Sequence, residues 1–351
     1  MQKRDEDLDI IRALGMLWIS FVHCIYWTNV FTDPMSMKIV SWLLIEMPVM
    51  FFVMGASNRG SDTSVYGKFV LRRLKRVYIP YIFYAFVCWI FTLEAYGLSG
   101  ASRLINLLVM SSFEIGVPEF ASSMLWFLPC YCFLIAVYPL LKKYNKCIKE
   151  NIFGYIVFYI LIYAGIIYNT GKDSFWNYVF VYIFWVYTGV FYNYIIKNNS
   201  MYKRLICIGI SVACFISVYF IRSTMNLGLD MQLNKFPPNI MFQQYTLAVL
   251  SLLAAFIDYI LKAVKYLKNK FVSISRLFET YSQYSYSIFI MQAFSLFVVK
   301  YLINFFAFNW ALNINAVLSL LIYAVCMIPI AGFMGKLYYN NIESKLIKLF
   351  S

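Results

Sequence analysis

Charge is scarce in this sequence. Asp, Glu, Lys and Arg together make up 13% of the 351 residues, against 62% for hydrophobic residues, and a soluble domain would carry about twice that charged share. The apolar residues come in runs of about 20 that end in polar or basic residues, which is typical of membrane-spanning helices. The composition excludes an ordinary soluble domain and predicts an integral membrane protein with many spans.

Histidine is almost absent as well, since His23 is the only one in the chain. One histidine excludes a histidine-based metal cluster, and the eight cysteines are scattered without the spacing of zinc ligands. The signatures G-x-S-x-G, H-E-x-x-H, G-x-G-x-x-G and the P-loop are also missing, which argues against the enzyme and nucleotide-binding classes that they mark. We therefore expect no metal and no permanently bound cofactor.

Ten apolar runs are long enough to cross a bilayer. The sequence predicts an all-α integral membrane protein of about ten transmembrane helices, in a single domain that covers 1–351 without a separate soluble domain. The predicted spans are 10–31, 36–56, 77–96, 123–141, 152–168, 175–196, 204–222, 240–262, 282–306 and 313–337.

The basic residues predict the orientation. If the N-terminus is cytoplasmic, 23 of the 30 Lys and Arg lie in or beside cytoplasmic segments, so the positive-inside rule places both termini in the cytoplasm. Topology thus explains the net charge of +14, and we expect membrane lipids and no nucleic acid as partners. The longest outer loops, 97–122 and 223–239, are either walls of a ligand site or simple connectors.

Arg12 and His23 lie in the first predicted span, "LDIIRALGMLWISFVHC". They are eleven residues apart, which is about 1100° of helical rotation and roughly 16 Å of rise, so both side chains share one face. Ionisable residues within a span usually mark a functional site. The alternatives are a structural hydrogen bond for His23 and an Arg12 side chain that reaches the lipid headgroups.

Two further charged features fall at the predicted spans. Glu46 is the only acid near the middle of a span, where its carboxylate could orient the His23 ring or pair with another polar group. Arg73 and Arg76, in "RRLKR" at the cytoplasmic start of the third span, neighbour each other on a helix and could bind a phosphate or serve only as topology determinants. These residues alone fit either an enzyme or a proton-coupled carrier.

Taken in order, these segments resemble the membrane-bound acyltransferase-3 family. Arg12 and His23 match its R-x10-H signature, and Arg73 and Arg76 match its R-x-x-R element. The segments "PVMFFVMGAS", "SSMLWFLPCY" and "SQYSYSIFIMQAF" resemble elements of its second, fourth and ninth helices. The likeness covers nearly the whole chain.

The chain departs from the family pattern at two places. Gly55-Ala56 replaces the usual Ser-Gly, and Gln292 stands where many members have His. Glutamine can form hydrogen bonds but cannot titrate. No second histidine can therefore share proton transfer with His23.

The resemblance implies a membrane O-acyltransferase, usually an O-acetyltransferase, with cytoplasmic acyl-CoA as the donor. Its acceptor would be a hydroxyl of a cell-surface, capsular or exopolysaccharide glycan, or of a lipid-linked sugar. Arg12, Arg73 and Arg76 would bind the CoA phosphates, and His23 would act as general base or transient acyl carrier, with Glu46 as a second catalytic candidate.

The acceptor-side candidates are Ser123 and Trp126 in the fourth span, where Trp126 either stacks on a sugar ring or belongs to an interface belt of aromatic residues. The resemblance also implies a location in a bacterial plasma membrane. The alternative function is a polytopic transporter or glycan exporter in which Arg12 and His23 line a permeation path. That alternative gives no reason for an R-x-x-R element at the inner mouth. The membrane-bound O-acyltransferases with an intramembrane histidine fit less well, because their ordered motifs do not match.

Overall fold

A computed structural model of the chain describes residues 5–97, 103–110, 125–148, 151–305 and 315–349. Within these ranges the regular secondary structure is helical. The helices are α1 Glu6–Thr28, α2 Pro34–Ser41, α3 Glu46–Asn58, α4 Tyr66–Tyr96, α5 Arg103–Leu108, α6 Phe127–Ile148, α7 Ile152–Asn169, α8 Phe175–Val190, α9 Met201–Met225, α10 Met231–Lys235, α11 Ile240–Ala255, α12 Ile257–Lys270, α13 Val272–Gln283, α14 Ser285–Phe305, α15 Ala316–Tyr338 and α16 Ser344–Leu349. Two π-helical turns, Asn193–Lys197 and Tyr339–Glu343, follow α8 and α15.

Polar caps begin many of these helices. A side-chain oxygen at the N-cap accepts a hydrogen bond from a backbone N–H of the first turn, which satisfies a donor that has no partner inside the helix. The capping residues are Asp33, Asn151, Ser174, Ser200, Asp230, Asn239 and Asn315.

The chain divides into two compact units whose segments alternate along the sequence. Unit 1 consists of Met1–Gly15, Thr32–Thr63 and Ala136–Arg276, and unit 2 consists of Met16–Phe31, Ser64–Ile135 and Leu277–Ser351. Helix α1 contributes its first half to unit 1 and its second half to unit 2. The expectation of a single domain stays a prediction.

The described helices fit a multi-pass membrane protein. Six segments are long and apolar enough to span a bilayer, and the pair α11 and α12, bent by 64°, gives a seventh if it is one span. Helices α4, α6 and α8 also lie over predicted spans, but α8 has 16 residues and the other two carry basic clusters. The number of about ten spans and the cytoplasmic termini are not confirmed.

The second predicted span, 36–56, is broken in the structure. Helix α2 ends at Ser41, and α3 begins at Glu46 after a short non-helical connection. Pro48 lies in the first turn of α3, where a backbone N–H would have no intrahelical acceptor and a proline is therefore tolerated. Glu46 consequently lies at a helix N-terminus, where the helix dipole favours a carboxylate.

In unit 1, α3 and α8 approach each other at two glycines. A Cβ atom on Gly55 or Gly189 would collide with backbone atoms of the other helix, so the two backbones come as close as small residues permit. Phe51 stacks on Tyr182 along the same contact, with ring centroids 4.3 Å apart. Helix α9 packs along α11 in the same unit.

In unit 2, α14 packs along α15, and two tyrosines connect this pair to α4. The hydroxyl of Tyr286 donates to the carbonyl of Val77 at 2.7 Å, and that of Tyr338 donates to the carbonyl of Pro80 at 2.6 Å. Pro80 lacks the N–H that would otherwise bond the carbonyl of Arg76. The two tyrosines therefore stabilise α4 next to the position where one of its backbone hydrogen bonds is missing.

Acidic residues at the start of α1 form an ionic network with basic residues of unit 1. The network consists of Arg59–Asp5 at 3.0 Å, Lys197–Asp5 at 2.9 Å, Lys197–Asp7 at 2.5 Å, Lys265–Asp7 at 2.6 Å and Lys268–Glu6 at 2.9 Å. It joins the start of α1 to the end of α3, to the first π-helical turn and to α12.

This network predicts an acid-sensitive contribution to stability from Asp5. Burial raises the pKa of the Asp5 carboxyl, but hydrogen bonds from Lys197, the Leu8 amide and Tyr192 outweigh burial and hold the pKa below its usual value. The contribution is therefore present above the unfolded pKa of about 3.9 and is lost as the pH falls through the folded pKa.

We expect Asp5→Asn to lower the thermal unfolding temperature by a few degrees at neutral pH, and to have little effect at a pH well below about 4. Thermal unfolding of both proteins in detergent across this pH range measures the difference. An equal deficit at every pH would show that the Asp5 charge does not contribute.

Candidate functional site

His23 lies in the part of α1 that belongs to unit 2, where it is half-buried among aromatic rings. Trp27, one helical turn further on, stacks on the imidazole with centroids 4.0 Å apart and an interplanar angle of 20°. Phe289 of α14 approaches the ring at 6.1 Å and 57°. A stacked indole favours the protonated ring by cation–π attraction, so the surroundings can stabilise an imidazolium that forms during a reaction.

A chain of hydrogen bonds leads from the His23 ring back to the α1 backbone. Nδ1 of His23 contacts Oε1 of Gln292, and Nε2 of Gln292 donates to Oγ of Ser20 at 2.8 Å. The Ser20 hydroxyl donates in turn to the carbonyl of Met16 at 3.0 Å. Ser20 and Gln292 are fully buried, so the chain is shielded from competing solvent.

The direction of this chain determines the tautomer of His23. The Met16 carbonyl can only accept, so the Ser20 hydroxyl donates to it and Ser20 Oγ accepts from the Gln292 amide nitrogen. The oxygen of Gln292 then faces the imidazole and requires a donor there. Nδ1 of His23 therefore carries the proton, and Nε2 carries the lone pair that a base or a nucleophile uses.

A second contact fastens the same half of α1 to α14. Lys300 donates to the carbonyl of Trp27 at 3.0 Å. This carbonyl belongs to the last turn of α1, where intrahelical donors are missing and a lysine is a suitable partner. Lys300 and Gln292 are eight residues apart on α14, so two points of one helix hold the segment that carries His23.

Trp126, an acceptor-side candidate, is linked to His23 through a series of ring contacts in unit 2. Its ring meets Phe127 edge-on at 6.4 Å, and Phe127 meets Phe289 edge-on at 4.7 Å. Phe289 is the ring that approaches His23. Ser123, the other acceptor-side candidate, lies outside the described residues.

Arg73 and Arg76 lie on α4 in unit 2, well inside a helix that begins at Tyr66. The half-buried Arg73 guanidinium lies over the Phe69 ring, 5.8 Å from its centroid. Arg76 is exposed and interacts electrostatically with Glu343, whose carboxylate accepts a hydrogen bond from Ser287. Their spacing of three residues on a continuous helix agrees with the neighbouring positions that the sequence predicts.

Arg12 makes its contacts in unit 1. Its guanidinium donates to Asp9 at 2.9 Å and to the Ser57 hydroxyl at 2.9 Å, and thereby ties α1 to the end of α3. Glu46 also belongs to unit 1, where it forms a buried ion pair with Lys235. The pairing with another polar group, which the sequence analysis allowed for Glu46, is made with Lys235, and Gln292 makes the hydrogen bond to the His23 ring.

Some of the residues around His23 were missed by the sequence analysis. Ser20 and Trp27 lie three residues before and four residues after His23, and this helical spacing could have identified both as neighbours. Lys235 lies within the predicted outer loop 223–239, but local spacing carries no sign of its pairing with Glu46. The hydrogen bond from His23 to Gln292 connects residues on distant segments.

The chain matches the model of a known protein family. A family model for an acyltransferase domain matches residues 5–336, which is nearly the whole chain. The chain belongs to the acyltransferase 3 family. The resemblance that the ordered motifs indicated is thereby confirmed, and the match includes Arg12, His23, Arg73 and Arg76 within one range. No curated protein and no solved structure matches the chain.

The hydrogen-bond chain predicts a single histidine tautomer, and the absence of other histidines makes it directly measurable. In the full chain labelled with 15N-histidine, we expect the neutral ring to be protonated at Nδ1. Ser20→Ala removes the acceptor that orients the Gln292 amide and should shift the ring toward the Nε2-protonated form. Solid-state or solution 15N chemical shifts report both states.

Ser295→Ala is the matched control, because Ser295 lies on α14 and donates to the Met291 carbonyl without touching the His23 ring chain. Its spectrum should equal that of the unaltered protein. An unaltered protein that is protonated at Nε2 would contradict the derived direction of the chain.

Proposed function

We propose that this acyltransferase 3 protein is a membrane O-acetyltransferase. It transfers the acetyl group of cytoplasmic acetyl-CoA to a hydroxyl of a surface glycan or lipid-linked sugar, and it resides in a bacterial plasma membrane as a multi-pass protein. Membership of the family supports an acyltransferase. The observation that carries the reaction is the hydrogen-bond chain that leaves the lone pair of His23 on Nε2.

In this reaction, Nε2 of His23 takes the proton of the acceptor hydroxyl while the oxygen attacks the thioester carbonyl. The carbon–sulfur bond breaks, and the departing thiolate takes the proton back from Nε2. Gln292 accepts from Nδ1–H throughout, so the ring keeps its orientation. Trp27 stabilises the transient imidazolium through its face.

Arg73 and Arg76 of unit 2 are proposed to bind the phosphates of the donor. Guanidinium groups bind phosphate through charge-assisted, often bidentate hydrogen bonds. Arg76 is exposed, Arg73 is half-buried, and both belong to the basic cluster near the start of α4. These positions support the proposed role.

Transfer of an acetyl group across the membrane of vesicles of known orientation tests the proposed function. The full chain is reconstituted with labelled acetyl-CoA on the side of Arg73 and Arg76. Glycan of the producing cells, freed of its O-acetyl groups by mild base, is placed on the other side. We expect the label to appear on the glycan while CoA stays where it was added, and we expect His23→Ala to stop the transfer while acetyl-CoA binding persists.

Two results would contradict this function. Retained transfer in His23→Ala at a substantial fraction of the unaltered rate would remove His23 from the reaction. Movement of glycan across the bilayer with no requirement for acetyl-CoA would instead favour a transporter in which Arg12 and His23 line the path.

The donor site predicts a specific loss of affinity. Each charge-assisted contact to phosphate is worth about 1.5–3 kcal/mol, so Arg73→Ala and Arg76→Ala should each weaken acetyl-CoA binding roughly tenfold to a hundredfold. Titration of the purified protein with acetyl-CoA measures the affinity. The same titration with dephospho-CoA should show a smaller effect if the arginines contact the phosphate that this analogue lacks.

Arg72→Ala is the matched control, since Arg72 belongs to the same basic cluster and is exposed. Its affinity for acetyl-CoA should be unchanged. If all three variants bind acetyl-CoA with the affinity of the unaltered protein, Arg73 and Arg76 are topology determinants only.

A further inference from the structure

Helix α12 has a buried face and an exposed face. Ile257, Leu261 and Val264 are buried in unit 1. The opposite face is exposed, and it consists of Tyr259, Lys262, Ala263, Tyr266 and Lys270. At about 100° per residue, these five residues lie within roughly 100° of the helix circumference. We call this set the tyrosine–lysine face.

The four lysines of α12 have different electrostatic surroundings. Lys265 and Lys268 pair with acids at the start of α1, at 2.6 and 2.9 Å. Lys262 and Lys270 form no ion pair with a carboxylate of the described residues. The tyrosine–lysine face therefore adds two positive charges to the surface of unit 1 that these residues do not neutralise through an ion pair.

Each lysine of this face lies next to a tyrosine ring. Nζ of Lys262 is 5.9 Å from the centroid of Tyr259, and Nζ of Lys270 is 5.7 Å from that of Tyr266. The two tyrosines are 54% and 62% exposed. Exposed rings and lysines on one face are typical of a helix at a membrane interface, where the rings lie at the level of the headgroups and the ammonium groups reach the phosphates.

Helix α12 also turns away from the spanning direction. Helix α11 is apolar, and α12 is bent by 64° from it. Membrane spans tilt by about 20° on average from the bilayer normal, so this bend leaves α12 inclined to the normal by at least about 44° if α11 crosses the bilayer. One aspartate and four lysines within 14 residues argue against burial of α12 in the hydrocarbon core. Both observations favour a position in the headgroup layer.

Apolar side chains extend the exposed surface at the end of α12. Leu267, Phe271 and Val272 are all exposed. Lysines beside large apolar side chains suit the boundary between headgroups and acyl chains, because the charges meet phosphate there and the apolar groups meet hydrocarbon. Water would satisfy only the lysines.

We propose that the tyrosine–lysine face binds phosphate groups of anionic lipids in the membrane that the protein spans. Two lysines without an ion pair carry net positive charge, so a headgroup with net negative charge, such as phosphatidylglycerol, is favoured over a zwitterionic one. In the predicted orientation these lipids belong to the cytoplasmic leaflet, because α12 is paired with the start of α1. This inference does not depend on the proposed acyl transfer.

Three double variants test the face without touching the ion pairs of α12. Lys262→Gln with Lys270→Gln removes both charges and keeps the side chains long, whereas Lys262→Arg with Lys270→Arg keeps both charges. Lys143→Gln with Lys146→Gln is the matched control. These two lysines are exposed at the end of α6 in the same unit and on the predicted cytoplasmic side, and their replacement removes the same charge.

The full chain, purified in a neutral detergent, is titrated with phosphatidylglycerol or with phosphatidylcholine. Thermal unfolding measures the stabilisation, and native mass spectrometry counts the lipids that stay bound. We expect phosphatidylglycerol to raise the unfolding temperature of the unaltered protein more than phosphatidylcholine does. Each lysine near an anionic surface strengthens binding about fivefold, so the glutamine pair on α12 should need roughly tenfold to thirtyfold more phosphatidylglycerol for the same rise. The arginine pair and the control pair should respond nearly like the unaltered protein.

Two results of this titration would overturn the inference. If the glutamine pair on α12 responds to phosphatidylglycerol like the unaltered protein, the two lysines do not bind the lipid. If the control pair loses as much affinity as the glutamine pair on α12, the effect is a general attraction between a basic protein and anionic lipid, and the tyrosine–lysine face has no part of its own.

Soluble glycerol phosphate, added in the same titration, separates a lipid site from a site for free phosphate. We expect it to have little effect, because it lacks the acyl chains that the exposed apolar side chains contact. Equal stabilisation by glycerol phosphate and phosphatidylglycerol would contradict lipid binding. Acetyl transfer is measured in none of these titrations, so a failure of the proposed function would leave their outcome unchanged.

Discussion

The amide of Gln292 accepts from the His23 ring because its nitrogen is already committed to Ser20. Away from water, each polar atom of a membrane helix has to find its partner within the protein. A row of such bonds acquires one direction once it ends on an atom that can only accept, and here that atom is the Met16 carbonyl. The backbone of α1 thus determines which nitrogen of its own histidine can take a proton. No carboxylate is needed for this orientation, in contrast to the familiar histidine–aspartate pairs of hydrolases.

Hydropathy and charge are properties of local segments, and the features that depend on them could be predicted. The helical membrane class, the placement of Arg12 and His23 on one helix and that of Arg73 and Arg76 on another follow from spacing alone. Helices also lie at predicted spans, which were derived from local hydropathy. The break before Glu46 was not predictable from Pro48 alone, since Pro80 lies well inside α4 without ending that helix.

Features that depend on distant segments could not be derived in this way. Glu46 and Lys235 are separated by 189 positions, and nothing in either segment indicates that one neutralises the other. The sequence showed Gln292 only as a departure from a motif. Its role depends on which end of the amide faces the His23 ring, and the sequence does not give that orientation.

The close approach of α3 and α8 limits which residues positions 55 and 189 can hold. A Cβ atom at position 55 would collide with the Val186 carbonyl, and one at position 189 would collide with the Phe52 carbonyl. A side chain at position 55 therefore requires a wider separation of the two helices. That wider separation would also remove the close backbone contact at Gly189. Gly55 and Gly189 are therefore coupled, because a side chain at either position requires the same wider separation of α3 and α8.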